Sequence, residues 1–532
     1  MSSCRSTAVG RSIAFLGVVL VGASVGCSDP GGPGPPVEPR ELTPGHGRKL
    51  IGAHPGVEID SIRPVDLEMP VGGLGVLPDG RLVVATFDAA TVMPPDPLPE
   101  PNGSLWILDN VELADSSPVS AERVADDLSE PLGVCIVDDT IYVAQRHEVT
   151  RFEFDHSSAS WERAVVATGW ETRDYHTFSF GLIHEAGQGG HPGYLYMARS
   201  TSLGGLENPP GHGSVWRIDL GGEPEDNIEY LTGGHRTPNG IGFGPENAIF
   251  VSDNQGEWTP ANELNHVQKG HFYSFYQSTD APDTYASPFQ DPADRLSPGQ
   301  GETLPAVQLP QGEIGNSPTE PILIPEGTPY AGQMLMGDMK YGGIQRLFLE
   351  RINGTWQGAV FRFTMGLEVG VNRLTWGADG SLYAGGIGAT QFGWSWINPD
   401  GNRTFQGLQR LRFTGVTAFE MKAVRATAEG FEIEFTKPVP RSYLAQPANY
   451  RFSQWGYRAT PAYGGTKLNQ ESLTASAAEP SADGTRVRLT VPGLRVGRVV
   501  YIMTDPLSVE GDTMWSTEAW YTLNEIPSDP ED

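Results

Sequence analysis

Cysteine is scarce in this sequence. Only Cys4, Cys27 and Cys135 occur among 532 residues, and no two of them have the spacing of a paired-cysteine zinc motif or of a covalent haem attachment motif. The first two lie in an N-terminal region with the features of a targeting signal. Cys135 then has no partner for an intramolecular disulfide. A disulfide-stapled domain, a paired-cysteine zinc site and a c-type haem are therefore excluded.

Positive charge is also low. Lys and Arg together number 36 against 65 Asp and Glu, which gives a formal net charge of −29. Nucleic-acid binding depends on surfaces rich in Lys and Arg that neutralise phosphates. The composition therefore excludes a general nucleic-acid binder. An acidic surface favours solubility and also suits divalent cations.

The apolar run near the N-terminus is too short to span a bilayer. It occupies residues 13–21 behind Arg5 and Arg11, and the segment after it resembles a bacterial lipobox ending in Cys27. We predict a lipoprotein-type signal peptide over 1–26, lipidation at Cys27 and a Pro/Gly-rich tether over 27–50. The protein is then exported to the periplasm or cell surface and touches a membrane only through this anchor. Secretion after simple cleavage is the alternative.

Motifs of several hydrolase classes are absent. The one GxSxG match, residues 22–26, lies within the predicted signal peptide, and the sequence contains no SxxK and no Cys–His pairing. Its histidines do not show HExxH or HxH spacing. A serine or cysteine nucleophile is therefore not supported, and a zinc or copper site is only weakly supported.

A turn followed by a short apolar strand recurs along much of the chain. Typical turns are Pro78-Asp79-Gly80 and Ala378-Asp379-Gly380. Copies of the pattern occupy residues 76–84, 136–143, 193–197, 242–250 and 376–383. Short strands at this spacing, with one Asp/Gly turn per unit, indicate a β-propeller. We predict six blades over residues 51–415.

The pattern changes after residue 416. Apolar and polar residues alternate over 430–435 and 486–491, which is typical of strands with one buried face. We predict an immunoglobulin- or fibronectin-like β-sandwich over 416–532 with a spacing or docking role. The fold class is thus all-β, a six-bladed propeller followed by a β-sandwich.

The stretch 233–266 carries the densest set of candidate functional side chains. Two apolar strands are flanked by a turn over 236–240 and by an acidic, amide-rich loop over 252–258. Polar loops that project from a rigid β scaffold are common places for binding and chemistry. We therefore expect a functional site here.

Four motifs resemble one known family. Residues 234–256, 175–181, 335–346 and 371–383 are similar, in order and spacing, to segments of the soluble quinoprotein glucose/sorbosone (aldose sugar) dehydrogenases. The resemblance spans roughly 60–415. It implies a six-bladed propeller that holds pyrroloquinoline quinone (PQQ) and Ca²⁺ and oxidises a sugar hydroxyl.

The resemblance also implies roles for individual residues. It makes His176 the catalytic base, with Arg236 as a second catalytic residue that stabilises negative charge. It assigns cofactor binding to Arg236, Thr237, Asn239, Lys340 and Arg373. It assigns Ca²⁺ binding to Asp253, Gln255 and Glu257, whose loop offers oxygen ligands.

The leading hypothesis is a PQQ-dependent sugar (aldose or polyol) dehydrogenase-like protein that passes electrons to an external acceptor. A non-catalytic cell-surface propeller that binds glycans or a protein partner is the first alternative. It is favoured by departures from the family motifs, such as Thr237 in place of Asn. A Ca²⁺-dependent propeller lactonase or hydrolase is the second alternative, suggested by the acidic loop.

Overall fold

The structure is a computed structural model. It describes residues 52–88, 101–113, 117–172, 174–202, 209–275, 302–339, 343–365, 367–388, 396–397 and 403–528. The predicted signal peptide, the predicted tether, Cys27 and Lys340 lie outside these ranges. Within them, no helix is long and apolar enough to cross a membrane.

Six blades, each of four antiparallel strands, make up most of the fold. The first strand along the chain is β1 (Val57–Ser61). Blade 1 is β2 (Val71–Val76), β3 (Leu82–Thr86), β4 (Gly103–Asp109) and β5 (Ser120–Leu128); blade 2 is β6 (Gly133–Val137), β7 (Thr140–Ala144), β8 (Glu148–Asp155) and β9 (Ser160–Thr168); blade 3 is β10 (Ser179–Glu185), β11 (Tyr194–Arg199), β12 (Ser214–Asp219) and β13 (Ile228–Tyr230).

The second half of the ring has the same plan. Blade 4 is β14 (Gly240–Phe243), β15 (Ile249–Asp253), β16 (Asn262–His266) and β17 (Val307–Leu309); blade 5 is β18 (Pro318–Leu323), β19 (Met334–Asp338), β20 (Ile344–Ile352) and β21 (Thr355–Thr364); blade 6 is β22 (Val371–Trp376), β23 (Leu382–Ile387), β26 (Gln406–Phe413) and β1. A small hairpin of β24 (Trp396–Ile397) and β25 (Arg403–Thr404) lies between β23 and β26 in the chain.

The Asp/Gly turns found in the sequence join first and second strands. In blade 1, Gly80 has φ +90°, and Asp79 Oδ1 accepts a hydrogen bond from the Arg81 main-chain N–H at 3.1 Å. A side-chain carboxylate that satisfies its own turn, followed by a left-handed glycine, is a local signal for a tight reversal. The turn chemistry therefore marks where each of these blades begins.

The ring closes through the two ends of the propeller sequence. Strand β1 pairs antiparallel with β26, from Val57 opposite Phe413 to Ser61 opposite Gln409. Each innermost strand also contacts the innermost strand of the next blade, and β22 contacts β2. The six-bladed propeller predicted from the repeat is confirmed.

The C-terminal region forms two more groups of four strands. They are β27 (Met421–Thr427), β28 (Gly430–Phe435), β29 (Arg451–Gly456), β30 (Leu468–Leu473), β31 (Ala477–Pro480), β32 (Arg486–Thr490), β33 (Arg498–Met503) and β34 (Glu518–Leu523), with one short helix, α1 (Arg441–Leu444). One sheet has the order β27-β28-β32-β31, and the other has the order β34-β33-β29-β30. Side chains of both sheets share one buried core, which includes Phe431, Val487, Ile502 and Tyr521.

This region is joined to the propeller by main-chain pairing. Strand β34 pairs with β21, the outermost strand of blade 5, so that one continuous sheet of eight strands runs from the propeller into the C-terminal region. All described residues fall in one compact unit, Thr43–Asp532. The change of sequence pattern near residue 416 therefore marks the end of the propeller, but the C-terminal region that follows packs against blade 5. The immunoglobulin-like identity of the region stays a prediction.

Candidate active site on the entry face

Most of the predicted site residues lie at one end of the propeller. His176 precedes the innermost strand β10, and residues 236–239 precede the innermost strand β14. Residues 254–257 follow β15, which runs antiparallel to β14 and so ends where β14 begins. The loops before the innermost strands β10 and β14 and the loop after the second strand β15 therefore lie on one face of the propeller. We call it the entry face.

His176 is held in one tautomer. The residue is 5% exposed, and its Nδ1 lies 2.6 Å from the main-chain oxygen of Thr201. Because a carbonyl oxygen can only accept, Nδ1 carries the proton and donates it. Nε2 then keeps a lone pair and accepts a hydrogen bond from the Thr237 hydroxyl at 3.0 Å. His176 is thus a proton acceptor at Nε2.

The surroundings also keep His176 uncharged. Burial lowers the pKa of its imidazole from 6.5 to about 3, and the positive charges of Arg236 and Arg146 lower it as well. The hydrogen bond to Thr201 acts in the opposite direction and does not offset these effects. At neutral pH the ring is therefore a neutral base.

Arg236 lies next to the same hydroxyl. One terminal nitrogen of its guanidinium donates to Thr237 Oγ1 at 3.1 Å. Its Nε and its other terminal nitrogen lie 3.0 Å and 2.9 Å from Glu257 Oε2. His176, Thr237, Arg236 and Glu257 therefore form a continuous hydrogen-bonded group, which we call the polar cluster.

Asp253 fixes the loop that carries half of the polar cluster. Its buried carboxylate accepts hydrogen bonds from the main-chain N–H groups of Arg236 at 2.8 Å, Thr237 at 2.6 Å and Asn254 at 2.8 Å. Burial raises the pKa of this carboxyl to about 6, although the three hydrogen bonds and Arg236 lower it. The role of Asp253 is to position Arg236 and Thr237.

The predicted calcium ligands bind other groups of the protein. Asp253 is occupied by three main-chain amides, Glu257 binds Arg236, and the Gln255 N–H donates to Asn262 Oδ1 at 3.1 Å. No group of three or more His, Cys, Asp or Glu side chains in the described ranges is arranged to hold a metal ion. The carboxylates of Asp253 and Glu257 are thus bonded to other groups of the protein, which does not support the Ca²⁺ site implied by the resemblance. Ca²⁺ binding by this loop stays a prediction.

Asn239 and Arg373 bind each other across the central channel. The Arg373 guanidinium donates to the Asn239 main-chain oxygen at 2.8 Å and to the Leu132 main-chain oxygen at 2.7 Å. These residues belong to or precede the innermost strands of blades 6, 4 and 2, so the side chain of Arg373 spans the channel. Burial lowers the pKa of Arg373 to about 10. Its donors are taken up by the protein itself, which does not support the predicted role in cofactor binding.

An apolar cluster borders the polar cluster. Its buried members come from five blades and are Phe87, Leu132, Phe178, Phe180, Met339 and Ile387. The ring of Phe178 lies 5.7 Å from that of His176, and Arg373 lies over the ring of Phe180. An apolar surface beside a few fixed polar groups is the usual composition of a small-molecule site.

A buried ion pair supports the loop before His176. Arg146 donates to Glu130 Oε1 at 2.6 Å and to the main-chain oxygens of Asp174 at 2.8 Å and Tyr175 at 3.0 Å. Sequence reasoning did not identify this pair. The available signal was the position of Arg146, two residues beyond the end of β7, where the chain enters the entry face.

Arg236 has a partly exposed ion-pair partner, Glu257, that a ligand could replace. Glu257 is 36% exposed at its side chain, whereas Glu130, the partner of Arg146, is 5% exposed. A solvated carboxylate can leave its partner at low cost, whereas a buried one cannot. The donor chemistry at Arg236 therefore fits the negative oxygens of a quinone. Lys340, the other cation predicted for this role, lies outside the described residues.

The opposite end of the channel holds a cavity of about 470 Å³. The ends of all six innermost strands line it, and Glu320 is the one carboxyl among the lining residues. Burial raises the pKa of Glu320 to about 7, although Arg373 and a hydrogen bond from the Leu374 N–H lower it. None of the predicted site residues lines this cavity.

Glu320→Gln is expected to stabilise the protein at alkaline pH and not at acid pH. The folded state keeps a proton on Glu320 between about pH 4.5 and pH 7, where the unfolded chain has lost it, so wild-type stability falls as pH rises through this window. Glutamine removes that loss, for a gain of roughly 1–3 kcal/mol at pH 8. Urea unfolding at pH 4 and pH 8 measures it, with exposed Glu326→Gln as the control. An equal effect at both pH values contradicts the assignment.

Solved structures similar to this chain include sugar dehydrogenases. The PQQ-bound aldose sugar dehydrogenase from Streptomyces coelicolor is 16% identical, covers 68% of this chain and 100% of its own, and has a TM-score of 0.44. The holo PQQ domain of pyranose dehydrogenase from Coprinopsis cinerea is 12% identical, with 68% and 96% covered and a TM-score of 0.43. A carbohydrate-active enzyme from Trichoderma reesei is 15% identical, with 68% and 98% covered and a TM-score of 0.46.

No family model matches the chain, and no curated protein matches it. At the identities and TM-scores of the solved structures, similarity does not carry an activity from one chain to another. The propeller fold rests on the strand pairing and the closed ring of innermost strands. An activity has to be argued from the entry face.

Proposed function

We propose that this protein is a sugar dehydrogenase-like oxidoreductase that binds an aldose or other polyol at the entry face and oxidises one of its hydroxyl groups. The polar cluster is the observation that supports it. A neutral imidazole with a fixed acceptor nitrogen lies 3.0 Å from a hydroxyl that also contacts an arginine. These are the groups that hydroxyl oxidation needs, a base for the proton and a positive charge for developing negative charge.

His176 and Thr237 move the proton. A substrate hydroxyl that donates to Thr237 Oγ1 can pass its proton to that oxygen while the Thr237 proton moves to His176 Nε2. The Thr201 main-chain oxygen accepts from Nδ1 and holds the ring in place while it becomes positively charged. Asp253 keeps Thr237 in position through the main-chain N–H of that residue. The apolar cluster next to the imidazole keeps water away from it.

Arg236 would hold the quinone oxygens, with Lys340 as a second predicted contact. A bound quinone of the PQQ type supplies the two-electron acceptor that hydroxyl oxidation requires. The electrons taken from the sugar then pass from the quinone to an external acceptor. The proposal also includes export and lipid anchoring at Cys27, which rest on the sequence.

Arg236→Gln is expected to weaken quinone binding. Wild-type protein titrated with PQQ should show saturable changes in the quinone absorbance spectrum and should then reduce an artificial dye with an aldose. Loss of a charge-assisted hydrogen bond predicts about tenfold weaker binding for the variant. Arg151→Gln, on an exposed strand of blade 2, is the control and should bind as wild type does. No spectral change with wild type refutes the quinone.

A non-catalytic sugar-binding propeller is the second candidate. It is favoured by the internal partners of Arg146 and Arg373, which leave these two cations bonded within the protein. In that case a sugar binds the wild type, and no dye is reduced in the presence of PQQ.

A further inference from the structure

A loop of the C-terminal region lies on the entry face. The loop, residues 457–467, connects β29 and β30. The Gly464 N–H donates to the Gly256 main-chain oxygen at 2.9 Å, and the Trp258 N–H donates to the Thr460 main-chain oxygen at 2.7 Å. The C-terminal region therefore contributes to the candidate active site.

Two glycines allow the close approach of this loop. Gly464 has φ +71°, and a Cβ on it would lie 1.9 Å from Gln255 Nε2. A Cβ on Gly256 would lie 1.8 Å from Arg236 Nε. The Gln255 side chain therefore packs directly against the main chain of Gly464, and Arg236 packs directly against the main chain of Gly256. A side chain at either glycine would prevent this contact.

This packing places Tyr463 beside the polar cluster. The Arg236 guanidinium carbon lies 5.3 Å from the centre of the Tyr463 ring, within the range of a cation–π contact. Tyr463 is nevertheless 61% exposed. Arg236 in turn donates to Thr237, which donates to His176 Nε2. An aromatic ring in contact with Arg236 is thus presented to solvent at the edge of the site.

We propose that Tyr463 is a stacking platform for the ring of a pyranose sugar and that it sets a preference for cyclic over open-chain polyols. This rests on the proposed function, which puts a sugar at the entry face. One side of a pyranose ring presents C–H groups, and these suit the negative face of an aromatic ring. A pyranose held on this ring lies beside Arg236, at the edge of the polar cluster. An open-chain polyol has the hydroxyls but no flat C–H face.

Tyr463→Ala is expected to weaken pyranose binding about 3- to 10-fold, the range of one aromatic contact, and to leave open-chain polyol binding unchanged. Tyr463→Phe keeps the ring and should bind as wild type does. The measurement is the Kd by isothermal titration calorimetry of protein without quinone, with D-glucose, D-xylose and D-sorbitol as probes. Phe154→Ala removes another exposed ring, on β8 of blade 2, and is the control.

The pattern of results separates this inference from the proposed function. Loss of pyranose affinity in Tyr463→Ala, with sorbitol unchanged and Tyr463→Phe normal, supports the platform. Unchanged affinity in Tyr463→Ala overturns the platform and leaves the proposed function standing. Equal losses for glucose and sorbitol also overturn it, because a purely structural role of the loop affects both. Wild type that binds none of the probes overturns both proposals.

Discussion

Replacing His176 by glutamine is expected to lower kcat/KM for sugar oxidation by about 10²- to 10⁴-fold, the usual contribution of a general base. The amide of glutamine can still donate to the Thr201 main-chain oxygen, but it cannot take a proton from Thr237. The Kd for the sugar should stay within about twofold, because the residue acts on the proton and not on the bound sugar. Steady-state kinetics with PQQ and a dye acceptor, together with calorimetry, measure both quantities.

The pH profile gives the same test in wild type. The pKa of His176 is lowered from 6.5 to about 3 by burial and by Arg236, so the ring remains unprotonated as pH falls from about 7 to about 5. Protonation of His176 should therefore not limit activity in this range, and a decline within it is expected only from Asp253, which holds Arg236 and Thr237 and whose pKa burial raises to about 6. A base with the ordinary histidine pKa of about 6.5 would lose most of its activity by pH 5.

His184→Gln is the matched control for His176→Gln. His184 lies on β10, the strand that His176 precedes, but it lines the cavity at the opposite end of the channel. Its Nε2 lies 3.2 Å from the Pro192 main-chain oxygen. This variant should keep wild-type rates and the wild-type pH profile. Equal rates for His176→Gln and wild type would remove His176 from the mechanism. Equal losses in both variants would indicate a general structural effect.

Glu420→Ala is expected to destabilise the protein by about 3–5 kcal/mol, because it leaves a buried positive charge without its partner. Glu420 is 1% exposed, and its carboxylate lies 3.3 Å from the Arg346 guanidinium and 3.1 Å from His54 Nε2, with a further hydrogen bond from Tyr330. Arg346 is itself fully buried on β20 of blade 5. The group thus links the N-terminal segment, blade 5 and the C-terminal region. The free energy of unfolding in urea measures the loss.

The loss of stability caused by Glu420→Ala should become smaller at acid pH. Burial raises the pKa of Glu420, but Arg346 and the hydrogen bonds from His54 and Tyr330 lower it more, so the pKa lies below its usual value. Stability from such a carboxylate is present above the unfolded-state pKa and is lost as pH falls through the folded-state pKa. The difference between wild type and variant should therefore shrink below about pH 4.

Glu58→Ala is the control for Glu420→Ala. Glu58 forms an ion pair with Arg412 on β26, but its side chain is 60% exposed. Exposed pairs contribute about 0–1 kcal/mol, so this variant should unfold close to wild type. A loss below about 1 kcal/mol for Glu420→Ala would contradict the account of a buried ion group.

Local chemistry made the fold predictable. An Asp/Gly turn such as Asp79-Gly80 closes through its own side chain and main chain, so it reports a strand reversal without any distant contact. Repetition of that unit predicted the number of blades. The concentration of polar residues at 236–240 and 252–258 led to the expectation of a functional site in these loops, and the structure places both loops at one end of the propeller.

The roles of individual side chains were less predictable. Asp253, Gln255 and Glu257 are close in sequence and were predicted to share a Ca²⁺ ion. The structure instead directs Asp253 to main-chain amides on the preceding loop and Glu257 to Arg236. Proximity along a chain shows which oxygens are available, but their partners depend on the loop that packs against them.

The all-β class, the six blades and the polar loops at 236–240 and 252–258 could be read from the sequence alone. Each of these follows from local composition or from a repeat. The tautomer of His176, the bonding of Arg373 within the channel and the position of Tyr463 at the entry face became visible only in the folded protein. These depend on contacts between different blades, or between the propeller and the C-terminal region. Residues distant in sequence become partners only when strand pairing brings them together.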